Sequence, residues 1–152
     1  MVMDYPYFAY GSNMNLEQMS RRCPGAILGD VGYLQDWRYF INGNGYAGIE
    51  EYEGGVIWGC LWTLTDPHWL SLDQYEGVAG GYYERKILRV VIEKNKEQIS
   101  ASLYLSNDYR YGIPSKRYQE IVVAGAKDII LPRSYITELE VWRNGPPSHF
   151  NR

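Results

Sequence analysis

The chain has 152 residues, of which 45% are hydrophobic and 22% are charged, and its formal net charge is −3. This length and balance predict one folded domain with a sizeable core. The acidic balance argues against a nucleic-acid partner, which needs cations for its phosphates. No apolar run approaches the roughly 20 residues that span a bilayer, so no membrane partner is expected either.

The first elements in chain order are a strand and a helix joined by a short polar turn. The start, Met1-Val2-Met3-Asp4, lacks the features of a signal peptide, so a cytoplasmic location is expected. Tyr5–Tyr10 is predicted to be a strand, and Asn15–Arg22 is predicted to be a helix because apolar residues recur on one face. The turn between them, Tyr10-Gly11-Ser12-Asn13-Met14, leaves backbone N–H groups unpaired. Such groups bind anions or polarised carbonyl oxygens.

Strands dominate the middle of the chain. Asn42-Gly43-Asn44-Gly45 is a tight-turn signal, and Glu93-Lys94-Asn95-Lys96 is predicted to join the last two strands as a hairpin. The predicted strands are Ala26–Leu34, Trp37–Ile41, Tyr46–Tyr52, Val56–Leu64, Tyr82–Ile92 and Ile99–Leu105.

Helices complete the prediction. Thr65-Asp66-Pro67 is typical of a helix start, and Ser115 is predicted to cap a helix from about Lys116 to Ala126. A last helix is predicted from Arg133 to Trp142. The class is therefore α+β, with a single domain over residues 1–143 and a loose C-terminal tail over residues 144–152.

The best-placed acidic residue is Glu76, at the end of the second predicted helix and directly before Gly77. The negative end of the helix dipole disfavours an anion there and raises its proton affinity. A general acid or base working near neutral pH needs such a shift. Asp73 lies three residues earlier on the same helix face and is the alternative working group.

The other reactive residue types give no site. Cys23 and Cys60, with His68 and His149, have no metal-ligand spacing, so neither a metal nor a cofactor is expected. Both cysteines are interpreted as buried small residues. The 15 tyrosines suggest a cavity lined by rings and hydroxyls. Three arginines, Arg21, Arg22 and Arg38, are interpreted as surface charges.

In this order and spacing, the motifs of the chain resemble the γ-glutamylcyclotransferase-like family. The resemblance runs over nearly the whole length. The matching motifs are Phe8-Ala9-Tyr10-Gly11-Ser12-Asn13, Val56-Ile57-Trp58-Gly59, Leu72-Asp73-Gln74-Tyr75-Glu76-Gly77-Val78, Tyr82-Tyr83, Pro114-Ser115-Lys116-Arg117-Tyr118, Gly125-Ala126-Lys127 and Leu131-Pro132-Arg133-Ser134-Tyr135.

The resemblance implies a small, strongly curved mixed β-sheet, partly closed as a barrel, with helices packed around it. It also implies release of 5-oxoproline from a γ-glutamyl small molecule, without a cofactor. Carried over to this chain, the binding loop becomes Gly11, Ser12 and Asn13, and the general acid/base becomes Glu76. The aromatic positions near the family's cavity correspond to Tyr10, Tyr83 and Tyr118.

One segment departs from the family pattern. In Ala47-Gly48-Ile49-Glu50-Glu51, Gly48 stands where a threonine is common, so the leaving amine stays open. Family members act on γ-glutamyl dipeptides, γ-glutamyl-lysine-type isopeptides and γ-glutamyl-protected aminoglycoside antibiotic intermediates. The acidic residues Glu50, Glu51 and Glu53 fit a cationic leaving amine by charge complementarity, or they form a solubilising edge strand.

Two other functions stay open at this point. The same fold could serve as a non-catalytic small-molecule binding module, although a pure binder gains nothing from an acid in its cavity. Hydrolysis of the same amide would release glutamate instead, but no Ser-His or Cys-His pair is evident to activate a nucleophile. Nothing in the sequence predicts an oligomeric state.

Overall fold

Five strands form a closed ring in the computed structural model, which describes residues 5–151. The ring order is β1-β3-β2-β4-β5, in which β1 and β5 are parallel and the other neighbours are antiparallel. The β1–β5 junction has one register pair, Tyr7 with Ser102, so the barrel closes through a short seam. The strands are β1 Tyr7–Ala9, β2 Ile27–Ile41, β3 Ala47–Thr63, β4 Tyr83–Ile92 and β5 Gln98–Ser106.

Four α-helices of the described part of the chain flank the barrel, and the predicted α+β class with a curved mixed sheet is confirmed. They are α1 Leu16–Arg22, α2 Asp66–Tyr75, α3 Lys116–Asp128 and α4 Arg133–Val141. Asn15 and Ser115 cap α1 and α3, because each side chain accepts from the backbone N–H three residues later. His68 ties the start of α2 to the end of α1 through Thr65 N–H and Pro24 O. Among residues 5–151, no helix is both long and apolar enough to cross a bilayer.

Strands β2 and β3 are longer than predicted. Each was predicted as two strands, yet each is continuous, with an irregular register between Gln35 and Trp37. Asp36 (φ 68°) and Gly54 (φ 84°) take left-handed conformations there, and Gly54 N–H donates to Asp36 Oδ1 at 3.0 Å. Asp36 and Gly54 therefore form a bulge within one long β2–β3 hairpin and do not end the strands, because pairing continues on both sides of the bulge.

Arg38 and Glu50 form a largely buried ion pair, which corrects two predictions. They are register partners on β2 and β3, their side chains are 13% and 8% exposed, and Nε–Oε2 is 2.9 Å. Arg38 is therefore not a surface charge, and Glu50 is not part of a solvated edge. Glu51 and Glu53 are exposed as predicted. Strand alternation explains part of the error, since successive residues face opposite sides.

The C-terminal tail is held at Phe150, where the structure differs from the expectation of a loose segment. The Phe150 ring lies 5.1 Å from Trp142 and 5.2 Å from Tyr111, centroid to centroid. The Arg38 guanidinium lies 3.8 Å from the same ring. Aromatic and cation–π contacts therefore attach this part of the tail to the barrel beside the ion pair.

Candidate active site

A cavity of about 700 Å³ lies where the end of β1, the end of α2 and the start of α3 meet. All seven residues that the sequence put forward for a site line it: Tyr10, Gly11, Ser12, Asn13, Glu76, Tyr83 and Tyr118. Tyrosines dominate the wall, as the composition suggested; besides the three just named they are Tyr7, Tyr46, Tyr75, Tyr82 and Tyr104. The structure thus brings together residues from four separate parts of the chain.

The loop after β1 is rigidly held. Ser12–Met14 forms a single 3-10 turn, with Met14 N–H bonded to Gly11 O at 3.1 Å. The Gln18 amide donates to Ser12 Oγ (2.8 Å) and to Asn13 Oδ1 (3.0 Å). Within residues 5–151, the N–H groups of Ser12 and Asn13 donate to no backbone carbonyl. Residues 11–14, called the donor loop below, therefore hold two backbone N–H groups without a backbone acceptor beside the cavity.

Close packing behind the loop leaves little room for a side chain at position 11. A Cβ there would lie 3.1 Å from Ala47 Cβ and 3.5 Å from Tyr118 Oη. The Tyr118 hydroxyl accepts from Ala47 N–H at 3.1 Å, and the Tyr83 hydroxyl donates to Ala47 O. Burial raises the pKa of Tyr118 to about 12, so its hydroxyl stays protonated at neutral pH. Two tyrosine hydroxyls and the loop are thus fixed around one short stretch of β3.

Glu76 is the acidic residue of the cavity. It ends α2, with its N–H bonded to Leu72 O at 2.8 Å, and Gly77 (φ 63°) then turns the chain. Burial raises the pKa of the Glu76 carboxyl from 4.5 to about 7; the charge of Arg22 opposes the shift and that of Asp73 adds to it. Burial, rather than the helix dipole, is thus the leading cause. A carboxyl with this pKa can take and return a proton near neutral pH.

Asp73, the alternative acid, has partners of its own. Its Oδ1 accepts from the Tyr104 hydroxyl at 2.7 Å, and its Oδ2 lies 3.3 Å from Arg85 Nη2. It is not among the residues that line the cavity. The geometry therefore favours Glu76 over Asp73 for contact with a ligand.

Arg22 is a cavity residue that the sequence interpretation missed. The sequence pattern predicts a surface charge at this position, but Arg22 lines the cavity and donates from Nη1 to Asn13 Oδ1 at 3.2 Å. Its backbone carbonyl accepts from Ser71 Oγ at 2.7 Å, which fixes the end of α1 against α2. The available signal was its position in the last turn of the helix that follows the loop. The contact with α2 that brings it to the cavity is tertiary.

Core packing explains why glycine stands at position 48, where the resemblance led us to expect a threonine. A Cβ at this position would lie 2.8 Å from Phe40 Cζ and 3.1 Å from Ser106 Cβ. The Phe40 ring, which is fully buried, takes the space that a larger side chain at position 48 would need. Gly48 does not line the cavity, so this departure has no direct contact with a bound ligand.

A closed barrel with a tyrosine-lined cavity, a rigid donor loop and one carboxyl of near-neutral pKa defines a small-molecule site with acid–base capacity. The AIG2-like family model matches residues 56–139. Mouse and human γ-glutamylcyclotransferase are each 33% identical to the chain over 144 residues, covering 88% of it and 76% of each relative. The solved structure of a γ-glutamyl cyclotransferase superposes with a TM-score of 0.85 at 30% identity, covering 97% of this chain and 92% of that one. The chain belongs to the AIG2-like family.

Proposed function

We propose that the protein is a γ-glutamylcyclotransferase. The α-amine of a γ-glutamyl group attacks its own γ-carbonyl carbon, the γ-amide C–N bond breaks, and 5-oxoproline and a free amine are released. The observation that carries the proposal is Glu76, a carboxyl of pKa about 7 in the same cavity as the donor loop. The names and similarity of the mammalian relatives support it.

Proton transfer is the main chemical task of this reaction. The substrate α-amine has a pKa of about 8, so near pH 7 it is mostly ammonium and cannot attack. Ionised Glu76 accepts that proton and then donates it to the departing nitrogen, which cannot leave as an amide anion. One carboxylate does both, because the two nitrogens are close together in the folded substrate.

Binding and orientation supply the rest of the rate. Ring closure of well-oriented groups has an effective molarity on the order of 10⁵ M or more, so holding the folded substrate is itself a large contribution. The backbone N–H groups of Ser12 and Asn13 would hold the substrate carboxylate or the developing oxyanion. Tyr10, Tyr83 and Tyr118 would enclose the γ-glutamyl group; the Tyr10 hydroxyl is fixed by donating to Tyr104 O at 2.6 Å.

The pH dependence of kcat/KM should be bell-shaped. The productive complex holds one proton shared between Glu76 and the α-amine. Below the Glu76 pKa of about 7 both groups are protonated and the amine cannot attack. Above the α-amine pKa of about 8 neither group retains the proton that the leaving nitrogen needs. Initial rates from pH 4 to 10 would test this, and an acid limb near pH 4.5 would contradict the raised pKa of Glu76.

Ser12→Ala should reduce kcat/KM by less than about tenfold, because one neutral side-chain hydrogen bond is lost while the backbone donors remain. The Ser12 hydroxyl accepts from Gln18 at 2.8 Å, so the substitution also loosens the loop slightly. Ser20→Ala is the matched control, since Ser20 is exposed on α1, which follows the loop, and its hydroxyl donates to Glu17 O. A complete loss of turnover in Ser12→Ala would instead assign the hydroxyl a direct chemical role.

Hydrolysis of the same amide has less support. Both cysteines are buried and unpaired, and burial raises the pKa of Cys23 to about 11 and of Cys60 to about 12. Neither would therefore be a thiolate nucleophile at neutral pH. Product identity separates the reactions: mass spectrometry of incubations with γ-glutamyl amino acids, isopeptides and polycationic γ-glutamyl amines should detect 5-oxoproline rather than glutamate. Ligand binding without either product would instead indicate a binding module.

The leaving amine is better matched by an amino acid than by an aminoglycoside. The cationic alternative relied on Glu50, Glu51 and Glu53, and none of them lines the cavity. Glu50 is paired with Arg38 inside the barrel wall. Among residues 5–151, Glu76 alone supplies a carboxyl to the cavity lining, and the proposed reaction needs it for proton transfer.

A further inference from the structure

The charge of the Arg22 guanidinium acts on the Glu76 carboxyl, but the two groups form no ion pair. Of the described residues that line the cavity, Arg22 and Glu76 alone are charged. Across residues 5–151, no carboxylate lies within ion-pair distance of Arg22. Its hydrogen bond to Asn13 uses one of the five N–H donors of the guanidinium. The other donors are therefore available to a ligand that enters the cavity.

Arg22 contacts both a buried and an exposed residue of the cavity lining. At the inner side it contacts Asn13, which is 3% exposed and belongs to the donor loop. At the outer side its guanidinium carbon lies 4.2 Å from the centroid of the Tyr75 ring, and Tyr75 is 59% exposed. For a γ-glutamyl group held against the loop, the exposed side at Tyr75 is the side on which the leaving amine can extend toward solvent.

We propose that Arg22 binds a carboxylate on the leaving amine and so selects γ-glutamyl amino acids over γ-glutamyl amines that lack this group. The inference rests on the proposed cyclotransferase function. A guanidinium binds a carboxylate through two parallel hydrogen bonds, and stacking on the Tyr75 ring fixes the plane from which they are donated. The same charge repels a polycationic leaving amine.

The test compares two substrates that differ by one group. γ-Glutamyl-alanine carries a carboxylate on its leaving amine, and γ-glutamyl ethylamide is the same molecule without it. For Arg22→Met, kcat/KM should fall roughly 10- to 100-fold with γ-glutamyl-alanine but less than about threefold with the ethylamide, since a charge-assisted bond is lost in the first case alone. Arg22→Lys keeps the charge but not the paired N–H donors, so its kcat/KM with γ-glutamyl-alanine should lie between those of wild type and Arg22→Met.

The control for this experiment is Arg21→Met. Arg21 is the neighbouring arginine on α1, and it pairs with Glu17 on the exposed surface at 2.8 Å. It does not line the cavity, so its removal should leave both substrates unaffected. A γ-glutamyl diamine is a third substrate for the comparison. Arg22→Met should raise the ratio of its kcat/KM to that of the ethylamide, because the repulsion between Arg22 and the second amine is removed.

Loss of Arg22 also changes the pKa of Glu76. The ratio of kcat/KM between the two substrates separates this effect from loss of the carboxylate contact. Arg22 lowers the pKa of Glu76, so Arg22→Met should move the acid limb of the pH profile upward equally for both substrates. Equal losses of kcat/KM with both substrates, measured at a pH above the acid limb, would overturn the proposal. Arg22 would then contact the γ-glutamyl end of the substrate or support the loop. Unchanged kinetics with γ-glutamyl-alanine would overturn it too.

A binding measurement keeps this test independent of turnover. Calorimetry with Glu76→Gln and Glu76→Gln/Arg22→Met should show that γ-glutamyl-alanine loses affinity when Arg22 is removed, while the ethylamide does not. If wild type forms no 5-oxoproline but this difference persists, the proposed reaction fails and the carboxylate contact stands. If turnover occurs but removal of Arg22 does not weaken γ-glutamyl-alanine binding, the carboxylate contact is wrong and the proposed reaction stands.

Discussion

Glu76→Gln should lower kcat by about 10³-fold or more while leaving the fold and substrate binding intact, since general acid–base groups contribute up to about 10⁴-fold and one residue here serves both steps. Glutamine has the size and shape of glutamate but cannot take the proton of the α-ammonium. No residue in 5–151 hydrogen-bonds the Glu76 carboxylate, so the substitution breaks no such contact. Single-turnover detection of 5-oxoproline, together with calorimetry of substrate binding, would measure both parts of the expectation.

Stability provides an independent check on the same variant. The Glu76 pKa is raised from 4.5 to about 7, so between these values the folded state binds more protons than the unfolded state. Ionisation therefore destabilises the fold as pH rises through this window, and the loss is complete above about pH 7. Glu76→Gln removes this loss, so its melting temperature at pH 8 should equal or exceed that of wild type.

Asp73→Asn is the matched control for Glu76→Gln. Asp73 lies on the same helix but contacts Tyr104 and Arg85 rather than the cavity, so its substitution should retain most of kcat. Retained turnover in Glu76→Gln with lost turnover in Asp73→Asn would reverse the assignment of the acid/base.

Gly125→Ala should destabilise the protein and weaken substrate binding, although it lies outside the cavity wall. A Cβ at Gly125 would lie 2.6 Å from Asn15 N and 2.7 Å from Met14 C, which are backbone atoms and cannot rotate away. Helix α3 and the donor loop would have to separate, and Tyr118 on the same helix would move with α3. Overpacking costs roughly 1–3 kcal/mol, and a contact with backbone atoms belongs in the upper part of this range, above the about 1 kcal/mol that alanine gains over glycine in a helix.

Urea unfolding and Michaelis constants would measure the two effects of Gly125→Ala. Ala124→Ser is the control, because Ala124 is the preceding residue of α3 and is exposed. An increase in stability, as helix propensity alone predicts, would contradict the close approach of α3 and the loop. Unchanged KM with lowered stability would mean that the loop keeps its position when α3 shifts.

The loop and the acid that line the cavity could be named from the sequence because they lie in short local motifs. Gly11, Ser12 and Asn13 follow a strand and precede a helix, and Glu76 ends a helix next to a glycine; both patterns are visible in consecutive residues. The position of Arg22 in the cavity lining was not accessible in this way. Its side chain reaches the cavity because α1 packs beside α2, which no local pattern encodes.

Local chemistry in the sequence determined the α+β class, most helix starts, the hairpins and the residues of the donor loop. Caps, turns and hydrophobic periodicity act over a few residues, so each is legible without the fold. Tertiary structure alone decided which charges are buried. Arg38 and Glu50 lie 12 residues apart and become a pair when β2 and β3 align, and the Glu76 pKa rises because the folded chain excludes water around it. Burial depends on every neighbour in space, and most of these neighbours are distant in the chain.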